Sequence, residues 1–221
     1  MNVLITGAGG FIGRLLTHAL LEQGARVRCV DIRNTAEHLR DNERVSHHTI
    51  DCTDYDALER SAIFDNVDYV FHLAAKTKEI DLERFRQVNV TPVRHMLDII
   101  IRRKIPLKRF VFISTQAAAG PADSPEEPVT ETCEPRPVES YGISKTEAEA
   151  IVREFGPRIP YTIIRPGAVY GPGDIDFFTV FRLLKKKIVI YPANKVKVIS
   201  LIYAEDLVKA VITAATQENT A

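Results

Sequence analysis

Neither sign of charge is in excess: 29 lysines and arginines balance 29 aspartates and glutamates over 221 residues. A chain without a net field has nothing to draw it to nucleic acid or to an anionic membrane surface. A small neutral or modestly charged ligand is the expected partner. Cysteine is scarce as well. Cys29, Cys52 and Cys133 lie far apart, with no CxxC pair and no histidine spacing of the zinc-site kind, so they read as reduced thiols. The six histidines form no metal pattern, since His47 and His48 are neighbours on one strand and face opposite ways. No metal is expected. No basic leader precedes an apolar run at the N-terminus, and no apolar segment reaches the length that spans a bilayer; a soluble, cytoplasmic protein is expected. Internal repeats and low-complexity tracts are missing too.

What is present is an ordinary globular composition, 45% hydrophobic and 26% charged, with enough chain for a real core. Runs rich in valine, isoleucine and phenylalanine recur as NVLIT, RVRCVD, SHHTI, VDYVFHL, RFVFIS and YTIIR, each bounded by glycine, proline, aspartate or asparagine. Segments of helical periodicity separate them, as in GFIGRLLTHALLEQG, where Ile12, Leu15, Leu16, Ala19 and Leu20 share a face and Gly24 stops the helix. Near-continuous apolar strands alternating with amphipathic helices predict an α/β fold: a doubly wound parallel sheet of the Rossmann kind, covered on both faces. The expected division is a dinucleotide-binding domain over 1–165 and a partial substrate-binding region over 166–221, interleaved with the last elements of the sheet. A helix is expected from about Asp176 to Lys186, then short strands at KIVIY and KVISLIY, then a last helix from Glu205. The stretch Ala119 to Ser140 holds five prolines and six acidic residues and reads as a long irregular loop.

Directly after the first strand comes TGAGGFIG. Gly7 allows a tight turn, Gly10 lets the backbone approach a pyrophosphate, and Gly13 lets helix and strand pack closely. The helix N-terminus then offers free amides to phosphate. The second strand ends at Asp31, where a carboxylate can accept from the hydroxyls of an adenosine ribose and would repel a 2′-phosphate. NAD is therefore the expected cofactor. Arg33 reads as a solvated loop cation; pairing it with a 2′-phosphate is what keeps NADP as the alternative. Asp51 or the Cys52 backbone is placed to bond an adenine amine, with Asp54 suited to cap the next helix. Ala74 and Ala75, after the fourth strand, are small enough for a cofactor to lie against.

In YGISK, Tyr141 and Lys145 stand four apart at the start of a helix and share a face. The ammonium is expected to favour phenolate and bring the tyrosine pKa down towards the range of general acid–base chemistry. Ser114 and Thr115 end the fifth strand at the carboxyl edge, where open parallel sheets bind ligands. A hydroxyl there could hold a substrate carbonyl or alcohol against Tyr141.

Taken together, TGAGGFIG, Asp31, FHLAA, Asn89 in VNVTP, FISTQAAAG, YGISK, IIRPGAVYGPGD and LIYAEDL resemble the extended branch of the short-chain dehydrogenase/reductase superfamily, the NAD-dependent epimerase/dehydratase family. These motifs run from residue 6 to residue 207 in family order. The resemblance implies Tyr141 as general acid or base, Lys145 as the ligand of the nicotinamide ribose, Thr115 with Ser114 before it as the catalytic hydroxyls, and Asn89 as a residue shaping the active site. It also implies cofactor contacts from the glycine turn with Phe11 and Ile12, from Ile32 beside Asp31, from Leu73 before Ala74, and from Pro166 and Val169 near the nicotinamide. Tyr203 and Asp206 would border the substrate region. A homodimer through the helices at LERFRQVNVTPVRHMLDIIIRRK and YGISKTEAEAIVREFG is implied as well.

The chain departs from the family at three points. Ala119 stands where many sugar epimerases carry tyrosine. Gln116 stands where dehydratases carry an acidic residue. The chain is also shorter than family members normally are, so a truncated or unusually open substrate site is expected. The implied activity is that of an NAD-dependent epimerase or dehydrogenase acting on a secondary alcohol of a small molecule, a nucleotide sugar in the leading reading. Hydrophobic alcohols such as sterols or flavonoids, and a non-catalytic NAD(P)-binding sensor, are the alternatives.

Overall fold

The computed structural model describes residues 1–33, 42–124, 126–188 and 199–217. Six strands form one parallel sheet: β1 (Asn2–Thr6), β2 (Arg26–Asp31), β3 (Val45–Thr49), β4 (Tyr69–His72), β5 (Arg109–Ile113) and β6 (Tyr161–Ile164), in the order β3-β2-β1-β4-β5-β6. The strand direction of build-up reverses between β1 and β4, and a crevice opens there beyond the carboxyl ends of the strands. The doubly wound expectation holds. Val3, Leu4, Ile5 and Thr6 are all at 0% exposure, the pattern of a central strand buried on both faces.

Helices cover each face. On one side α2 (Tyr55–Arg60), α4 (Thr91–Arg102) and α6 (Ser140–Phe155) pack through Leu58, Met96, Ile99, Ile100, Val152 and Phe155. On the other, α1 (Phe11–Glu22) and the last helix α8 (Ala204–Thr216) pack through Leu16, Leu20, Leu207, Val208, Val211 and Ile212. Each such side chain contributes about 1.5–3 kcal/mol on burial. α8 is therefore part of the sheet's own core, although it follows the expected domain boundary at residue 165. Aspartates start two helices, Asp54 as the sequence implies and Asp81 in addition. Asp54 accepts from the Ala57 amide at 2.9 Å for α2, and Asp81 accepts from the Arg84 amide at 2.9 Å for α3 (Leu82–Asn89). Val90 separates α3 from α4, with Pro92 in the first turn of the second helix.

Three features were not foreseen. A four-residue helix, α5 (Gln116–Ala119), follows β5 at once, and β7 (Ala168–Tyr170) pairs in parallel with β8 (Leu201–Tyr203) in a small second sheet. Of the strand expected at KVISLIY only β8 is formed within the described residues, and most of KIVIY lies outside them. α7 (Asp176–Lys185) forms as expected but has no buried residue, and Phe178, Phe181 and Leu184 on it are exposed. No helix among the described residues is long and apolar enough to cross a membrane.

Candidate active site

At the switch point a cavity of about 310 Å³ is lined by Gly7, Gly10, Asp31, Ile32, Asp51, Cys52, Leu73, Ala74 and Ala75. Nine of the residues read from sequence thus converge from four strand ends. Gly7 takes φ +72°, and a Cβ there would lie 2.8 Å from the Ala74 amide nitrogen. A Cβ on Gly13 would lie 2.2 Å from the Gly7 carbonyl oxygen. Ala74 therefore serves as the wall against which the glycine turn itself rests. The Asp31 carboxylate accepts from the Gly9 amide at 3.0 Å and from the Arg33 amide at 3.3 Å, which ties the turn to the end of β2. Arg33 is exposed and outside the cavity lining.

The start of α1 differs from the starts of α2 and α3. No side chain caps it and no acidic residue stands in its first turn, so the amides from Phe11 onward are left for an anion. Ile12 itself turns to the core with Leu15 and Ala19. Phe11 sits beneath the segment after β7, where a Cβ on Gly173 would come 3.5 Å from its ring. Asp51 is engaged by the Thr53 amide at 2.9 Å. Cys52 is buried and its thiol is pushed up to about 12 by that burial, so it lines the pocket without being reactive. Val30, Ile50, Thr53, Lys76, Val88 and Pro92 complete the lining. Local sequence gave no signal for them, because α3 and α4 bring Val88 and Pro92 in from afar.

The second half of the site forms where β5 and α6 meet. Thr115 Oγ1 accepts from the Ala117 amide at 3.2 Å and caps α5. Its own O–H is left to donate, and the residue is half-buried. Ser114, adjacent in sequence, points the other way. It is 3% exposed and donates to Glu149 Oε1 at 2.6 Å, so the structure does not bring it to the substrate side with Thr115. Successive residues of an extended chain face oppositely. Asn89 is fully buried; its amide donates to Ser144 Oγ at 3.0 Å and to the Lys76 carbonyl at 3.1 Å, while its oxygen accepts from the Lys76 amide at 2.9 Å. It ties the loop after β4 to α6. Pro166 offers its carbonyl to the Gln116 amide at 2.9 Å, and Val169 packs towards the α1–α8 core.

Tyr141 opens α6 with its ring 6.0 Å from that of Phe85. Lys145 is fully buried, its Nζ 4.1 Å from the centroid of Phe112. Burial pulls the ammonium down to about 7, opposed by the charge of Glu149. The expected fall in the tyrosine pKa is corrected here. Burial pushes the Tyr141 phenol above its ordinary value, and the Lys145 ammonium lies against the Phe112 face. His72, also buried, bonds Thr6 Oγ1 through Nδ1 at 2.7 Å and is held neutral, its pKa pushed down to about 3 by burial.

Gly142 allows α5 and α6 to meet. A Cβ there would lie 2.4 Å from the Ala117 carbonyl oxygen. Thr146 bonds the next carbonyl, that of Ala118, at 3.1 Å. Gly142→Ala sets a gain in helix propensity of at most about 1 kcal/mol against an overlap with backbone that costs about 1–3 kcal/mol. The melting temperature is expected to fall, and an unchanged or higher value in thermal denaturation would show that the contact is not close. The long loop after α5 is closed at its base. The Arg136 amide donates to the Ala119 carbonyl at 2.9 Å, and a Cβ on Gly120 would lie 2.1 Å from the Arg136 carbonyl oxygen.

A parallel sheet with an uncapped glycine-turn helix at its switch point and an aspartate ending the second strand define a doubly wound fold of the Rossmann type. The chain belongs to the NAD dependent epimerase/dehydratase family, whose profile matches residues 3–221. It is 30% identical over 204 residues to the ceramide reductase of Caulobacter vibrioides, covering 92% of this chain and 57% of that protein. It is 30% identical over 190 residues to the D-erythronate dehydrogenase of Cupriavidus necator, covering 76% of this chain and 57% of that protein. The chain thus spans little more than half the length of these curated relatives. Among solved structures it is similar to the UDP-glucose 4-epimerase of Thermotoga maritima with UDP-glucose, with TM-score 0.84 and 29% identity, covering 97% of this chain and 73% of that one. The Thermus thermophilus UDP-glucose 4-epimerase in complex with NAD gives TM-score 0.83 and 25% identity, covering 98% and 75%. Among the described residues no cluster of three or more histidine, cysteine or acidic side chains is placed to hold a metal.

Proposed function

We propose that this protein is an NAD-dependent enzyme that acts on a secondary alcohol of a nucleotide sugar, as an epimerase or dehydrogenase, and that it works as a homodimer. The observation that carries the reading is that α6, which bears Tyr141 and Lys145, packs through Gly142 onto Ala117 of α5, the short helix capped by the strand-end Thr115.

The residues present fit a dinucleotide. The cavity at the switch point is of a size for the adenosine half, the amides of the glycine turn and of α1 face a pyrophosphate, and Asp31 meets ribose hydroxyls while repelling a 2′-phosphate. NAD, when bound, supplies a hydride acceptor at its nicotinamide carbon. Tyr141 takes the proton of the substrate hydroxyl as the carbon beneath it loses hydride. Thr115 donates its O–H to the same oxygen as that oxygen becomes the carbonyl of a transient ketone. Lys145 would hold the nicotinamide ribose when the cofactor is bound. Gln116, exposed and bonded to Ser200 at 3.4 Å, offers no acid for an elimination, so the reading stops short of a dehydratase. Structural relatives that hold UDP-sugars support the nucleotide-sugar substrate, and relatives acting on other alcohols leave the substrate to experiment.

The test is direct. The protein is mixed with NAD and a panel of alcohols that includes UDP-glucose, UDP-glucuronic acid and apolar secondary alcohols, and bound cofactor and NADH are followed. Binding of NAD with oxidation or epimerisation of a UDP-sugar is expected. Binding of NAD with no hydride transfer from any alcohol would leave a nucleotide-binding module in its place.

A further inference from the structure

Glu149 lies one turn beyond Lys145 on the buried face of α6 and is itself fully buried. Its Oε1 accepts from Ser114 Oγ at 2.6 Å and from Arg165 Nε at 2.8 Å. Its Oε2 accepts from Arg165 Nη2 at 2.6 Å and from Arg153 Nη2 at 2.9 Å. A carboxylate has about four acceptor positions, so this one is saturated. Its donors stand at the places the proposed chemistry needs held. Ser114 immediately precedes Thr115 at the end of β5. Arg165 follows β6 and precedes Pro166, whose carbonyl holds Gln116. A buried ion cluster is weak support for stability, because taking the charges out of water offsets their attraction. Its worth lies elsewhere.

We propose that Glu149 is a positioning residue whose buried carboxylate locks the ends of β5 and β6 to α6, setting Thr115 against Tyr141 and placing a fixed negative charge one turn from Lys145. The inference rests on the reading that these three residues form the reaction site. Among the described residues, the groups set against Lys145 are the neutral ring of His72 from β4, the Phe112 face from β5, and Glu149 on its own helix, with Tyr141 one turn before it on that helix. Arg165 and Arg153 both pair with Glu149 through its Oε2. Glu149 is therefore the anion that favours a protonated Lys145, and a protonated Lys145 is the form that meets the hydroxyls of a cofactor ribose as a donor.

The experiment follows the side-chain carbon resonance of Lys145 in lysine-labelled protein across pH, in the wild type, Glu149→Gln and Arg153→Gln, with NADH affinity measured over the same range. The wild-type midpoint is expected near the value of about 7, and Glu149→Gln lowers it by about one pH unit. Arg153→Gln removes a half-exposed counter-charge and shifts the midpoint upward. NADH affinity weakens as pH rises through each midpoint, so the weakening sets in earlier in Glu149→Gln. A Glu149→Gln protein that melts lower but keeps the wild-type midpoint and NADH profile would reduce Glu149 to a fold-stabilising ion and overturn the proposal. Should Glu149→Gln not fold, Arg153→Gln decides: an upward shift supports the assignment and an unmoved midpoint overturns it. If the wild type fails to bind NADH while the Lys145 midpoints still move as stated, the functional reading falls and the electrostatic role of Glu149 stands.

Discussion

Tyr141→Phe is expected to lower turnover by about 10²–10⁴-fold, the usual contribution of a positioned acid–base group, and to leave NAD affinity unchanged. The substitution removes one oxygen. The ring keeps its contact with Phe85, the Ser144 hydroxyl still donates to the carbonyl of residue 141 at 2.7 Å, and nothing in the switch-point cavity is touched. Loss of hydride transfer with an unaltered cofactor titration is therefore the signature of proton transfer at this phenol. A variant that turns over at the wild-type rate would remove Tyr141 from the mechanism.

Lys145→Met should abolish turnover and at the same time make the protein more stable. The ammonium is fully buried, with its pKa drawn from 10.5 to about 7 by that burial. A base whose folded pKa is depressed is more readily protonated in the unfolded chain, so stability falls as pH drops from 10.5 towards about 7 and the penalty is complete below that. Methionine follows the same path beside Phe112 with no charge to desolvate. The gain amounts to a few kcal/mol, greatest below pH 7 and vanishing towards the upper end of the window. Melting curves of the two proteins across pH measure it. A variant less stable than the wild type at every pH would mean that the contacts of Lys145 with Phe112 and Glu149 outweigh its burial. The pairing of lost activity with gained stability is what a residue retained for chemistry gives.

These two neighbours on α6 also show how far sequence carries. The glycine turn, Asp31 and the tyrosine–lysine spacing are local signals: each depends on backbone shape or helical period within a few residues, and the six strands follow from apolar runs. The state of the groups is a different matter. Lys145 is marked by its spacing from Tyr141, but Glu149 reads as an ordinary helix charge until the packing of α6 on β5 and β6 places both on the buried face, and the burial of Tyr141 itself reverses the expected direction for its phenol. A sign was available, because the two occupy the same stripe as Ala148 and Val152, where a charge needs a partner. The partner of Glu149, Arg165, comes from just beyond the end of β6. Ser114 and Thr115 could not be told apart in sequence either, since only the fold decides which of two neighbours faces α6. β7 escaped notice because three residues between glycines become a strand only by pairing with β8.

The closed base of the loop after α5 has a consequence for how such a protein can change. With Ala119 and Gly120 already fastened to Arg136, the residues between them form a side branch whose ends meet at a fixed point. Doubling the length of such a branch costs only about 0.6 kcal/mol in closure entropy, and the strain does not reach Thr115 or Tyr141. Insertions, deletions and whole exchanges of this segment are thus open to variation, and to engineering by loop grafting, while the reacting groups stay where they are.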